Sequence, residues 1–205
     1  MNTYTFLISS FIIILMPGTG VLYTISVGIA KGKKGGMLAA AGCTAGIVPH
    51  LCISIVLSAL FLNINANVFM VVKVLGALYL LYLGVGMIVS NNKLEFEKEQ
   101  SENHFTAIIC RGILLNLLNP KLTVFFFSFL PQYVSLNSEN YVIKSLLYGL
   151  LFMIVTLIVF CGYGVLAEMA KKLLVGCPRR MHLLQVCFGI IFIIFAVQLV
   201  VTTKV

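Results

Sequence analysis

Leu115-Asn116-Leu117-Leu118-Asn119-Pro120-Lys121 lies in the middle of an apolar segment that runs from about Phe105 to Pro131. Pro120 has no N–H and crowds the carbonyl one turn back, so a helix here is kinked or interrupted and leaves backbone groups without their usual partners. Asn116 and Asn119 are placed to take up some of them. Lys121 adds a cation near the centre of a bilayer, at a cost of roughly 2.5–3.5 kcal/mol on insertion scales. Such residues face a protein interior or a water-filled cavity. A counterpart stands earlier in the chain: Pro17-Gly18-Thr19-Gly20 interrupts the apolar run from about Tyr4 to Val27, again near its middle. Two interrupted apolar segments in matching positions of two halves point to a transporter site at the interface of a repeat.

Composition supports a membrane setting. Hydrophobic residues make up 60% of the 205-residue chain and charged residues 10%, with a mean hydropathy of +1.08, whereas about 25% charged is usual in a soluble domain. The apolar stretches outrun the roughly 9–11 residues of a membrane strand, so the expected class is an all-α integral membrane protein. The net charge of +8 falls in short clusters beside apolar spans, which is the pattern of membrane orientation rather than of nucleic-acid binding. The N-terminus shows no basic n-region or small-residue cleavage site, and the first span is expected to be retained. Cys43, Cys52, Cys110, Cys161, Cys177 and Cys187 lie far apart with no C-x-x-C. They read as small apolar residues, with no disulfide framework, metal site or cofactor expected.

Six apolar stretches, each near the roughly 20 residues that cross a bilayer, run at about Tyr4 to Val27, Met37 to Leu62, Phe69 to Ser90, Phe105 to Pro131, Tyr141 to Ala170 and His182 to Thr203. Their connections alternate in charge. The first carries Lys31, Lys33 and Lys34, the third Lys93 and Lys98, and the fifth Lys171, Lys172, Arg179 and Arg180; the second and fourth carry no Lys or Arg. By the positive-inside rule the odd loops are cytoplasmic and both termini face outward. Three spans followed by three more give two halves of opposite orientation. The expectation is therefore a single transport domain of six transmembrane helices in two inverted three-helix repeats, 1–90 and 105–205, joined by a cytoplasmic linker at 91–104, with helices 1 and 4 interrupted. Gly42 and Gly46 form a small-xxx-small pair that admits a close neighbour, and His50 shares their face.

At these residues the chain resembles the lysine exporter type of amino-acid efflux family, which includes lysine, arginine, homoserine, threonine and leucine exporters. The resemblance covers nearly the whole chain. It rests on Pro17-Gly18 with Tyr23 and the glycine-rich basic turn Gly28 to Gly36, on Gly42, Gly46 and His50, and on Gly76-Ala77-Leu78-Tyr79-Leu80-Leu81-Tyr82-Leu83-Gly84. The strongest match is Arg111-Gly112 through Asn116-Leu117-Leu118-Asn119-Pro120-Lys121, followed by Phe129-Leu130-Pro131-Gln132-Tyr133. Members usually read Pro-Gly-Pro where this chain has Pro17-Gly18-Thr19, a change that keeps the break and adds a hydroxyl. The resemblance implies export of small amino acids or close relatives across the bacterial inner membrane, driven by the proton gradient. Assembly into homo-oligomers stays open.

The candidate substrate-binding or gating residues are Pro17, Gly18, Thr19, Asn116, Asn119, Pro120 and Lys121, with His50 as a candidate for proton coupling because imidazole titrates near neutrality. A substrate carboxylate would find half-helix N-termini and Lys121, and its ammonium would need carbonyls, hydroxyls or Asn side chains. Each residue also has a purely structural reading. Lys121 could bond carbonyls freed by Pro120, Pro17-Gly18 could be a plain kink, the asparagines could be caps, and His50 could be a neutral histidine bonded to the next helix. Glu168 reads as an ion-pair partner of Lys171 and Lys172. Two other classes compete. A membrane-embedded enzyme needs a nucleophile beside its base, and the chain has no Asp, no H-E-x-x-H and no G-x-S-x-G. Metal-ion export by the same fold needs oxygen ligands, chiefly carboxylates, and no acidic residue lies deep in any of these spans, Glu168 standing near an end of the fifth.

Overall fold

The computed structural model describes residues 3–16, 18–61, 66–89, 104–128, 130–134, 140–167, 169 and 178–201. Pro17, most of the linker, Glu168, Lys171, Lys172 and Cys177 lie outside them. Among the described residues the regular elements are helices: α1 Thr3–Leu15, α2 Thr19–Ala45, α3 Val48–Phe61, α4 Ala66–Val89, α5 Phe105–Leu117, α6 Pro120–Ser128, α7 Leu130–Tyr133, α8 Tyr141–Val165 and α9 Pro178–Val201. By length and apolarity α8 and the stretch Thr19–Val56 qualify to cross a membrane, and Phe105–Leu117 with Lys121–Phe127 makes a third candidate across a 60° bend.

The stretch Thr19–Val56 is a hairpin and not one rod. On a straight helix Gly20 and Cys43 would stand about 34 Å apart, whereas the Cys43 thiol lies 3.8 Å from the Gly20 carbonyl. The reversal occurs at Gly32, the one described residue with positive φ, at φ 70° and ψ −171°. That region of backbone space is essentially closed to side chains. The returning arm ends at the Gly46–Ile47 turn, where the Ile47 N–H bonds the Thr44 carbonyl at 3.1 Å instead of continuing the helix.

Lipid chains are as apolar as leucine, so helices in a bilayer associate through close packing of small residues rather than through hydrophobic burial. The outer arm of α2 packs on α5 backbone to backbone: a Cβ at Gly42 would strike the Ile109 carbonyl, and one at Gly46 would stand 2.7 Å from the Ile113 carbonyl. The two arms of the hairpin pack on α8 in the same way, with Gly36 meeting Gly164. Gly84 and Gly189 join α4 to α9. Helix α8 shows the solvent most plainly. Its buried face reads Tyr141, Ser145, Gly149, Phe152, Thr156, Phe160 and Gly164, while Ile143, Leu147, Ile154 and Ile158 point outward. Small, hydroxyl and aromatic residues inside with branched aliphatics outside depart from the order found in water, as a hydrocarbon surround allows.

Candidate functional site

Helix α1 stops at Leu15, and its last carbonyls need partners from elsewhere. The ordinary partner of the Ile13 carbonyl is the N–H of residue 17, and residue 17 is proline. Lys121 supplies the missing donor: its Nζ lies 3.2 Å from the Ile13 oxygen and 3.3 Å from the Met16 oxygen. The Tyr163 hydroxyl donates to the Leu15 carbonyl at 2.9 Å. The negative pole of α1 thus meets a cation carried on the other interrupted segment. Lys121 serves carbonyls of the first break, not the ones freed by its neighbour Pro120.

The second break is finished in the reverse sense. Pro120 withholds the N–H that would bond the Asn116 carbonyl, and His50 Nε2 donates to that oxygen at 2.9 Å, beside the Asn119 N–H at 3.0 Å. A carbonyl only accepts, so Nε2 carries a proton; in the neutral ring Nδ1 then accepts from the Thr123 hydroxyl 3.1 Å away. Asn119 is the N-cap of α6, its Oδ1 accepting from the Lys121 N–H at 3.1 Å, with Pro120 at the first helical position where a missing N–H costs nothing. Asn116, 2% exposed, donates through Nδ2 to the Cys43 carbonyl at 2.6 Å, a group freed by the Gly46–Ile47 turn. Its Oδ1 accepts from Asn119 Nδ2 at 3.4 Å. One carboxamide therefore ties the end of α2 to the break between α5 and α6.

These groups enclose a cavity lined by Ile13, Ile14, Gly18, Gly20, Asn116, Asn119, Lys121, Phe152, Thr156 and Phe160 among others. It has room for about one water molecule, too little for an amino acid. Glycine is required at position 20, where a Cβ would stand 2.6 Å from Asn116 Oδ1 and 3.0 Å from the Phe160 ring; one at Gly18 would make ordinary contact with Lys121 Nζ, at 3.4 Å. Above the cavity, Phe6 packs edge-on against Tyr133 and Tyr148, and Phe152 stacks on Phe125 at 4.7 Å. Below it, Phe160 and Tyr163 pack near the glycine contacts of α8 with α2.

The structure thus brings together Gly18, Asn116, Asn119 and Lys121, with His50 directly behind the second break. Thr19 is exposed and does not line the cavity; Pro17 and the ring of Pro120 lie outside the described atoms. Sequence reasoning missed the Ile13 and Met16 carbonyls, the Cys43 carbonyl, Thr123 and the side chains of α8 that line the cavity; of the two α8 glycines it read as close contacts, Gly164 meets Gly36 and Gly162 meets nothing within 4 Å. A signal for α8 was present: Gly149, Phe152, Thr156, Phe160 and Gly164 recur at helical spacing in an otherwise aliphatic helix. Among the described residues the lining holds a cation and no carboxylate, and no three His, Cys, Asp or Glu side chains gather as a metal set.

The chain matches the family described as LysE type translocator over residues 11–203. It is 29% identical to a leucine efflux protein of Klebsiella pneumoniae over 97% of this chain and 94% of the relative. It is 29% identical to a leucine efflux protein of Enterobacter sp. over 97% and 95%. A homoserine/homoserine lactone efflux protein of Salmonella typhimurium is 27% identical over 93% of this chain and 92% of its own. No solved structure matches the chain.

Proposed function

The chain belongs to the LysE type translocator family, whose members are transporters and not enzymes, and from that premise we propose that it exports neutral amino acids or close derivatives from the bacterial cytoplasm by alternating access. Relatives named for leucine and homoserine efflux favour that substrate class. The observation that carries the reading is the junction of the two breaks, where Lys121 bonds the carbonyls of Ile13 and Met16 at the wall of a small cavity. A cation deep in a membrane protein is costly, and broken helices at such depth line transport sites.

In this proposal six spans cross the inner membrane as two inverted repeats. They are α1 with the first arm of α2, the second arm with α3, then α4, then α5 with α6, then α8 and α9. The basic turn around Gly32 faces the cytoplasm and both termini face outward. Substrate binding and gating belong to Gly18, Asn119, Lys121 and the Asn116 carboxamide, with Pro17 and Pro120 setting the breaks. Proton coupling belongs to His50. A proton added at Nδ1 forces the Thr123 hydroxyl to turn from donor to acceptor, one residue pair away from the α5–α6 bend. The aromatic cluster of Phe6, Tyr133 and Tyr148 forms the outer gate.

The test is efflux from vesicles preloaded with labelled amino acids, with and without a proton gradient. Wild type is expected to release one or a few neutral amino acids, and Lys121→Met is expected to abolish release while remaining in the membrane. Equal rates for the two proteins, or no movement of any amino acid in a folded sample, would refute the reading.

A further inference from the structure

A transporter of zwitterions must hold an ammonium, and this site offers it no carboxylate among the described residues that line it. It offers carbonyls. Those of Ile13 and Met16 stand at the negative end of α1, freed by the break at residue 17, and they already hold an ammonium, that of Lys121. The neighbouring Leu15 carbonyl is taken by Tyr163. Resting on the amino-acid reading above, we propose that the Ile13 and Met16 carbonyls are the subsite for the substrate α-ammonium, and that Lys121 is a built-in stand-in which occupies it when the site is empty.

The exchange balances in charge and in hydrogen bonds. An arriving α-ammonium takes the two carbonyls from Lys121 Nζ, so neither oxygen is left unpaired in a low-dielectric surround. Lys121 is released toward the cavity, where the substrate carboxylate, two bonds from the ammonium, becomes its partner. Gly18 lies beside the lysine head, since a Cβ there would stand 3.4 Å from Nζ, and its bare backbone leaves the side chain room to swing. An empty carrier then keeps both carbonyls paired by its own lysine, and a molecule lacking a free ammonium cannot displace it. Selection acts on the backbone carbonyls that every α-amino acid can reach, and leaves the apolar wall of Ile14, Phe152 and Phe160 to accommodate the side chain.

Two measurements on the full-length protein test this. In the first, competition for L-leucine and L-homoserine efflux is measured with the corresponding amino-acid amides, which keep the ammonium, and N-acetyl amino acids, which lose it. The amides are expected to compete within about 10-fold of the parent and the N-acetyl compounds to be at least about 100-fold weaker. N-acetyl compounds that compete as well as the parent overturn the subsite while leaving the exporter reading intact. In the second, thermal unfolding of purified Lys121→Ala is followed with ethylammonium or tetramethylammonium chloride at equal ionic strength. Ethylammonium, which fits the vacated carbonyls and can donate to them, is expected to raise the midpoint saturably in the variant and not in wild type. Identical responses to the two cations overturn the proposal. Should Lys121→Ala not fold, Lys121→Met takes its place in the same comparison. Because the second assay needs no transport, it separates failure of the subsite from failure of the exporter reading.

Discussion

Replacing His50 by leucine tests whether the imidazole stands in for the N–H that Pro120 lacks. His50 and Asn116 are both buried, and the Nε2–H to Asn116 carbonyl bond is 2.9 Å long. That oxygen keeps a second partner in the Asn119 N–H, so its loss costs the net worth of one hydrogen bond, about 0.5–1.5 kcal/mol. Losing the Thr123 contact adds a similar amount, so His50→Leu alone is expected to destabilise by about 1–3 kcal/mol. Pro120→Ala changes the arithmetic. An alanine at 120 restores a backbone N–H four residues after Asn116, the ordinary helical donor for that carbonyl. In this background His50→Leu should cost about 1 kcal/mol less, giving a favourable coupling of about 0.5–1.5 kcal/mol, above the 0.3–0.5 kcal/mol within which independent sites add. The assay is reversible unfolding of the four proteins in mixed micelles. Additive losses within that limit would refute the idea that His50 completes the helix break.

The remaining expectations use other parts of the molecule. Gly20→Ala places a methyl against Asn116 Oδ1 and Phe160, and is expected to lower stability by about 1–3 kcal/mol through overpacking and to slow efflux, both readable in the same micelle and vesicle assays. Gly32→Ala meets nothing within 4 Å but sits at φ 70°, so its penalty, about 1–3 kcal/mol, should come from backbone strain alone and should persist whatever side chain is introduced; a neutral effect would contradict the reversal at this residue. In a background without native cysteines, a cysteine at Lys33 should be labelled only from the cytoplasmic side and one at Asn65 only from outside, and the opposite pattern would invert the proposed topology.

Much of the protein was legible without coordinates because its informative residues are costly where they stand. Two proline breaks and a lysine inside apolar runs announced where the backbone is interrupted, and the structure interrupts it there, between Leu15 and Thr19 and between Leu117 and Pro120. Apolar length fixed the helical class, since backbone groups in hydrocarbon must be satisfied internally. Gly42 and Gly46 were correctly placed at a close helix contact, and their partner, α5, emerged only from packing. Which side chain finishes which break is a long-range matter: Lys121 reaches a carbonyl 108 positions earlier, and His50 one 66 positions later. No local pattern encodes a hydrogen bond to a backbone carbonyl, because every residue carries the same acceptor. The amino-acid sequence by itself therefore determined the membrane setting, the helices and the two places where they break. Tertiary structure alone decided that the breaks meet, that each is capped by a side chain from beyond the other, and that α8 closes the site with aromatic rings. The physical reason is that an unpaired backbone group is a local property of the chain, whereas the partner that satisfies it is chosen by the packing of distant helices.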